Sequence, residues 1–357
     1  MIETAKPRLI LDEFRCKRNI KKMAQKAKEL NIELRPHFKT HQSIHIGRWF
    51  RELNIKGITV SSVDMASYFT SDGWNDITIA FPFFPLQIPA LKKLERQASL
   101  RLFINRPEDV ELLSNHLQNP FKVIIEIDPG YGRSGIHYQN LTHITELIDA
   151  CKLSGKSSFH GFYIHDGRTY QSNSVEQVLK SSQVAVDILT RLNEHFPDAS
   201  LMMGDTPSAS VRNEFGPVTE LSPGNFVFYD WMQVQIGSCS IDDVALYCLL
   251  PLAQKFQNGE KAIVLGGAVH LSKEYINDKS FKSFGQAVEH SDSNVKMIEG
   301  TYISALSQEH GTLNISNASF AESPTIMICP IHSCLTANLY DHYYTTSGNI
   351  IEKRILS

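Results

Sequence analysis

The chain has no long hydrophobic run, no block of like charge and no cysteine framework, and each absence removes a class of protein. Its longest apolar stretch, VALYCLLPLA at 244–253, is too short to cross a bilayer as a helix. The 35 Lys and Arg and 38 Asp and Glu are mixed along the chain for a net charge of −3, so neither a nucleic-acid footprint nor an acidic tail is present. Six cysteines stand apart without paired spacing, which argues against a disulfide scaffold and for a reducing compartment. The opening MIETAKPRLILDEFRCKRN has charges interrupting its apolar run, unlike a secretory leader. We expect a cytoplasmic protein with no membrane or nucleic-acid partner. Internal repeats and low-complexity linkers are absent too.

What is present is a globular composition, 42% hydrophobic over 357 residues, enough for one large domain or two ordinary ones. Between about residues 30 and 230, short β-rich runs alternate with helix-like segments. The runs are LRPHFK (34–39), GITVSS (57–62), DITIAFP (76–82), SLRLFIN (99–105), VIIEIDPG (123–130), FHGFYIHDG (159–167), SLMMGD (200–205) and a run ending in NFVFYD (225–230). Eight such alternations predict an α/β architecture with a (β/α)8 barrel over 13–235. A doubly wound open sheet is the rival, but no G-x-G-x-x-G follows the first strand. After residue 236 strands and turns continue without regular helices, so a β-rich domain is expected over 236–357, with 1–12 adding a strand through PRLILDE.

Chemistry in such barrels gathers at the C-terminal strand ends. Lys39 closes the first strand between two histidines, in RPHFKTHQS. A lysine there either snorkels to water or, if desolvated, becomes a neutral amine able to attack an aldehyde. GDTPS (204–208) and SPGN (222–225) are two strand-end turns whose small residues would also let backbone N–H groups approach a phosphate, with a hydroxyl from Thr206 or Ser208. His37, His41 and His45 are spaced by four, but the first lies on the strand side of the turn, so a shared metal is disfavoured. In H-S-C at 332–334, a strand would turn His332 and Cys334 to one side, a borderline-soft pair suited to zinc. As an isolated pattern it is weak.

Taken in order, RPHFKTHQS, EIDPGYGRSGI (126–136), YIHDG (163–167), GDTPS, SPGNFVFYD (222–230), SQEHGTL (307–313) and PIHSCLTANLYD (330–341) resemble the alanine-racemase-like pyridoxal-phosphate enzymes. The branch they are most similar to is that of D-threonine aldolase and D-serine dehydratase. The resemblance runs over nearly the whole chain and implies an alanine-racemase type barrel followed by a β domain. It implies pyridoxal 5'-phosphate on Lys39, which would also be the base at the substrate's Cα. Arg133 and His165 would lie near the cofactor ring, Tyr170 at the phosphate or substrate, and Thr206, Gly224 and Asn225 around the phosphate. His332 and Cys334 would hold Zn2+, or Mn2+ as the second choice, with His310 assisting near the β-hydroxyl.

The activity implied is a lyase dehydrating a D-β-hydroxy amino acid, D-serine foremost, as a homodimer whose β domains complete the partner's site. An aldolase releasing glycine and an aldehyde is the alternative, since that branch tends to carry aspartate where Cys334 stands. A racemase is disfavoured because Ser222 occupies the place of that family's arginine before Pro-Gly. A non-catalytic pyridoxal-phosphate carrier is the remaining class, and such carriers lack the β domain and its H-x-C pair.

Overall fold

A parallel sheet whose strands carry apolar side chains on both faces must be covered on both, and a barrel does this by closing on itself. In the computed structural model, which describes residues 4–256, 259–278, 281–291, 294–316 and 323–355, the chain forms two compact units. One contains residues 21–224; the other contains residues 1–20 with 225–357.

The first unit has eight parallel strands: Glu33–Leu34, Ile58–Val60, Asp76–Pro82, Ser99–Phe103, Phe121–Asp128, Ser157–Ile164, Ser200–Met203 and Glu220–Leu221. Successive strands pair in parallel, with register shifts at Ile79/Pro82 and Val123/Ile124, and the last pairs back to the first through Glu220↔Glu33. The opposite edge closes where His37 bridges Thr59. Pro36 explains why the first strand is so short: without an N–H it cannot donate to the ladder. Its carbonyl accepts from Thr59 N at 3.0 Å, while Arg35 N and His37 N bond to Leu221 O and Pro223 O on the other side.

The eighth strand corrects the expectation placed on NFVFYD. Pro223 follows the short strand Glu220–Leu221, and Asn225–Val227 is a 3-10 turn. The hydrophobicity of FVF reflects burial in that turn, not a strand. Helices Ile44–Arg51, Val63–Thr70, Ile88–Leu94, Pro107–His116, Leu141–Ser154 and Val175–His195 follow successive strands. Their starts are chemically marked in several cases, as where Ser62 and Ser174 accept from Met65 N and Gln177 N.

Residues two apart on a strand share a face. Phe103, Ile124, Tyr163 and Met202 pack together in the barrel's apolar layer, and Arg101, two residues before Phe103, joins an ionic layer. There Arg35, fully buried, donates from Nε to Glu220 Oε2 at 3.0 Å and from Nη2 to Asp76 Oδ2 at 2.6 Å. Arg101 Nη1 reaches the same Glu220 oxygen at 2.8 Å and His160 Nε2 at 2.8 Å. Burial, with Arg101 next, pushes the His160 pKa down to about 3, so its ring is the neutral acceptor in that contact. Gly57 makes room for this layer, because a Cβ there would lie 2.1 Å from Arg35 Nη1.

The second unit is a nine-stranded, mostly antiparallel sheet. Its order is Lys261–Leu265, His310–Asn314, Val295–Leu306, Gly285–His290, Thr325–Pro330, Leu246–Lys255, Arg8–Leu11, His342–Thr345 and Ile350–Glu352. Lys261–Leu265 also pairs with Leu246–Lys255, which closes the first six strands into a ring. Arg8–Leu11 lies beside Leu246–Lys255, with Leu9 opposite Cys248. The expected strand TLNISN runs to Asn314, and its last residue, 317, lies outside the described residues. No described helix is long and apolar enough to cross a membrane.

Removing one member of a buried ionic layer leaves the others charged without a partner. Arg35→Met is therefore expected to destabilise the protein by about 3–5 kcal/mol. A urea-denaturation midpoint equal to that of the unchanged protein would contradict this reading of the layer.

Candidate active site

The first barrel strand gives way to a turn at Phe38–His41, and that turn is held from below by aromatic packing. The Phe38 ring lies 4.4 Å from His41, 4.9 Å from Phe69 and 5.2 Å from Trp74, centroid to centroid. Lys39 projects from this base as an exposed residue, the water-reaching one of the two alternatives open to it. The buried groups are its neighbours, because the chain turns at Phe38 and carries Lys39 past the last packed layer. His37 and His41 are buried, whereas His45 is exposed on helix Ile44–Arg51 against Trp49, so the three imidazoles have separate surroundings.

Lys39 opens onto a cleft of about 350 Å³ lined also by His37, Glu126, Arg133, Tyr163 and His165. The sequence reading placed Lys39, Arg133 and His165 at one site, and the structure brings all three together. His165 Nδ1 lies 3.1 Å from Gly204 O and donates to it, leaving Nε2 as an acceptor. Burial, then Arg133 and Lys39, push its pKa down to about 3. His37 is pushed well below its ordinary value by burial, with Lys39 the next cause. Both rings are thus neutral near pH 7. A permanent cation, a lysine and two neutral imidazoles face a shared cleft.

Thr206 opens the short helix Thr206–Val211, capped by Asp205, whose Oδ1 accepts from Ser208 N at 2.8 Å and from Thr169 Oγ1 at 2.9 Å. Tyr170 Oη accepts from Thr206 N at 3.3 Å, and its ring lies 6.1 Å from that of His165. The hydroxyl of Thr206 is buried without a hydrogen-bond partner, while that of Ser208 is buried beside the Asp205 carboxylate. Buried hydroxyls rarely stay unbonded, so Thr206 is open to an acceptor brought by a ligand. Gly224 keeps space beside the Lys39 turn: a Cβ there would meet Thr40 Oγ1 at 2.7 Å and His37 O at 2.9 Å. These residues offer the two groups a phosphorylated aldehyde requires, a hydroxyl donor in Thr206 and an amine in Lys39.

Asn225 is placed differently from its neighbours in SPGN. Its Nδ2 donates to Asp230 Oδ2 at 2.6 Å, to Ser333 Oγ at 3.0 Å and to Cys334 Sγ at 3.6 Å, within the second unit. Its side chain is therefore engaged with the segment carrying His332 and Cys334. That segment is not the expected strand. The strand Thr325–Pro330 has ended, His332 caps the helix Ser333–Ala337, and Cys334 lies in that helix's first turn. Asp230 Oδ2 fixes the turn by accepting from Ser333 N at 2.9 Å. The two side chains still meet, through a helix start and not through strand alternation. Burial pushes the His332 pKa down, but the hydrogen bond and charge of Cys334, followed by Asp230, outweigh it and raise the value to about 9. Among the described residues no cluster of three or more His, Cys, Asp or Glu forms a metal cage. An ion on this pair would keep coordination positions for other ligands. His310 starts the strand His310–Asn314 with an exposed side chain.

Glu126 is the cleft residue that sequence reading missed. Its signal was available in strand alternation, since it shares the inward face with Ile124 and stands opposite Tyr163. A single carboxylate in a strand otherwise rich in Ile and Val reads as a solvated edge, yet this one is buried.

Residues 11–230 match the family described as alanine racemase, N-terminal domain, and residues 249–346 match a putative serine dehydratase domain. The chain is 26% identical to the D-serine dehydratase of Dictyostelium discoideum, over 96% of this chain and 93% of that protein. It is 24% identical to a D-threonine aldolase of Arthrobacter sp, over 97% and 90%. The solved D-threo-3-hydroxyaspartate dehydratase from Delftia sp. HT23 superposes with a TM-score of 0.86 at 25% identity, covering 99% of this chain and 98% of that one.

A histidine with a pKa near 6.5 unfolded and about 3 folded contributes stability that is complete above 6.5 and is lost as the pH falls toward 3. Replacing His165 with Gln is expected to flatten the fall of unfolding free energy between pH 6 and 4 by up to about 1.4 kcal/mol per pH unit. Unfolding titrations at several pH values would show this. An unchanged slope would mean that His165 is protonated in the folded protein.

Proposed function

The chain belongs to the alanine racemase N-terminal domain family, and on that premise we propose that it is a pyridoxal-phosphate-dependent lyase that dehydrates a D-β-hydroxy amino acid, D-serine foremost. The observation that carries this reading is the gathering of Lys39, Arg133 and His165 on one cleft, with the unbonded buried hydroxyl of Thr206 tied to it through Tyr170. When bound, pyridoxal phosphate supplies an electron sink for negative charge at the substrate's Cα. Thr206 and Ser208 would hold the phosphate, with Gly224 leaving space beside the Lys39 turn and Tyr170 linking Thr206 to His165. His165, neutral and fixed by Gly204 O, packs at the ring without adding charge. Arg133 would lie near the ring, on the cleft it shares with Lys39. Lys39 Nζ would hold the cofactor and serve as the base at Cα.

His332 and Cys334 would hold zinc, whose Lewis acidity would assist departure of the β-hydroxyl. The thiolate favours zinc over manganese. It also favours dehydration over the aldolase reading, which calls for a harder ligand at that place. His310 assists at the hydroxyl end. We further propose a cytoplasmic homodimer, to be checked by sedimentation velocity, where an active monomer alone would refute it.

Incubation with D-threonine, pyridoxal phosphate and zinc tests the reaction. The expected products are 2-oxobutanoate and ammonia; glycine with acetaldehyde would assign an aldolase instead. Lys39→Ala is expected to remove the visible absorption band of the bound cofactor together with turnover. Cys334→Ala is expected to keep that band while abolishing metal-dependent turnover, and activity that survives a chelator would remove the metal from the proposal.

A further inference from the structure

Glu126 has no place in the reaction as drawn above, yet it is only 4% exposed and lines the same cleft as Lys39. Its Oε1 accepts from Ser134 Oγ at 2.8 Å and lies 3.4 Å from Arg133 Nη2. Its Oε2 is buried without a hydrogen-bond partner. A carboxylate taken out of water with one oxygen unsatisfied is unfavourable unless a donor reaches it in the working protein.

Arg133 is the donor in place to do so. Its side chain remains 49% exposed and makes one long contact with this carboxylate, although a guanidinium is built to engage a carboxylate through two parallel N–H bonds. The loop that carries it is already anchored: Asp128 Oδ1 accepts from Gly130 N at 3.0 Å, Tyr131 N at 2.8 Å and Gly132 N at 3.0 Å. Closing the fork therefore needs only a side-chain rotation.

We propose that Glu126 is a positioning residue for Arg133, its two carboxylate oxygens fixing the guanidinium by a bidentate ion pair so that a remaining N–H is directed at the cofactor ring. This rests on the reading that the cleft takes pyridoxal phosphate. The carboxylate also balances the arginine's charge at a site where Lys39 is the other cation. A guanidinium without this anchor would return to water and leave the ring unsupported.

Cofactor affinity tests the proposal independently of turnover. Apoprotein is titrated with pyridoxal phosphate, following tryptophan fluorescence, for the unchanged protein, Glu126→Ala, Glu126→Gln, Arg133→Ala and the double variant Glu126→Ala with Arg133→Ala. Glu126→Ala is expected to weaken binding about tenfold, as Arg133→Ala does, and the double variant is expected to be no weaker than Arg133→Ala alone. Glu126→Gln keeps an acceptor for the guanidinium and for Ser134, so it should recover most of the loss. The visible circular dichroism of the bound cofactor should change alike in Glu126→Ala and Arg133→Ala, a signature of ring orientation that general destabilisation would not reproduce.

Additive losses in the double variant would overturn the proposal, because Glu126 would then act on the ligand without Arg133. Affinity and dichroism unchanged in both Glu126 variants would overturn it too. If the unchanged protein takes up no pyridoxal phosphate, the failure is that of the proposed function itself. Glu126→Leu, which keeps the bulk but offers the guanidinium no acceptor, replaces the alanine variant if that one does not fold.

Discussion

Residues 33–38 divide their backbone hydrogen bonds between two neighbours, and the cleft exists because of that division. Toward one side Glu33, Arg35 and His37 donate to the last strand segment; toward the other Phe38 donates to Thr59 and Pro36 accepts from it. A strand that bonds both ways at such short length is the closure of a barrel. The same closure ends in the turn that lifts Lys39 out of the packed layers, while the flanking histidines stay within them. Closing the sheet and presenting the amine are therefore one structural event. Beneath it the Arg35 layer fills the barrel with ions where aliphatic side chains are usual.

Much of this was legible in the chain, for identifiable reasons. Strands such as Phe121–Asp128 and Ser157–Ile164 are buried runs of β-favouring residues bounded by Gly, Pro and Asp, and their ends announced Arg133 and His165. The ordered motifs added what no single run could, namely the alanine-racemase-like architecture now seen in the family match. What was not legible depended on context. FVF in NFVFYD reads as a strand because burial and β propensity coincide there, but the proline ahead of it ends the ladder. H-S-C reads as alternation, whereas the backbone has already turned into a helix start. Arg35, Asp76 and Glu220 look like solvated charges until the barrel brings them together. For the same reason Lys39 could be located along the chain but its exposure could not.

The pair at His332 and Cys334 shows how local chemistry can survive a wrong secondary-structure assignment. Two residues apart, the side chains meet either across one face of a strand or around a helix N-terminus. Here Asp230 selects the second by accepting from Ser333 N and from Asn225. The resemblance implied that Asn225 lies around the phosphate, a place its side chain does not take up here. Its carboxamide instead braces the turn that bears the cysteine.

The strand Arg8–Leu11 lies between Leu246–Lys255 and His342–Thr345, so a segment that precedes the barrel pairs with segments that follow it. During synthesis this segment must wait, unpaired, while every residue of the barrel is made and becomes free to fold around its own local contacts. The loop that its pairing closes contains the whole barrel, and the entropy of that closure is met late. Translation order therefore imposes a sequence on assembly: the strands of the barrel are all made before the sheet that receives Arg8–Leu11 can be completed.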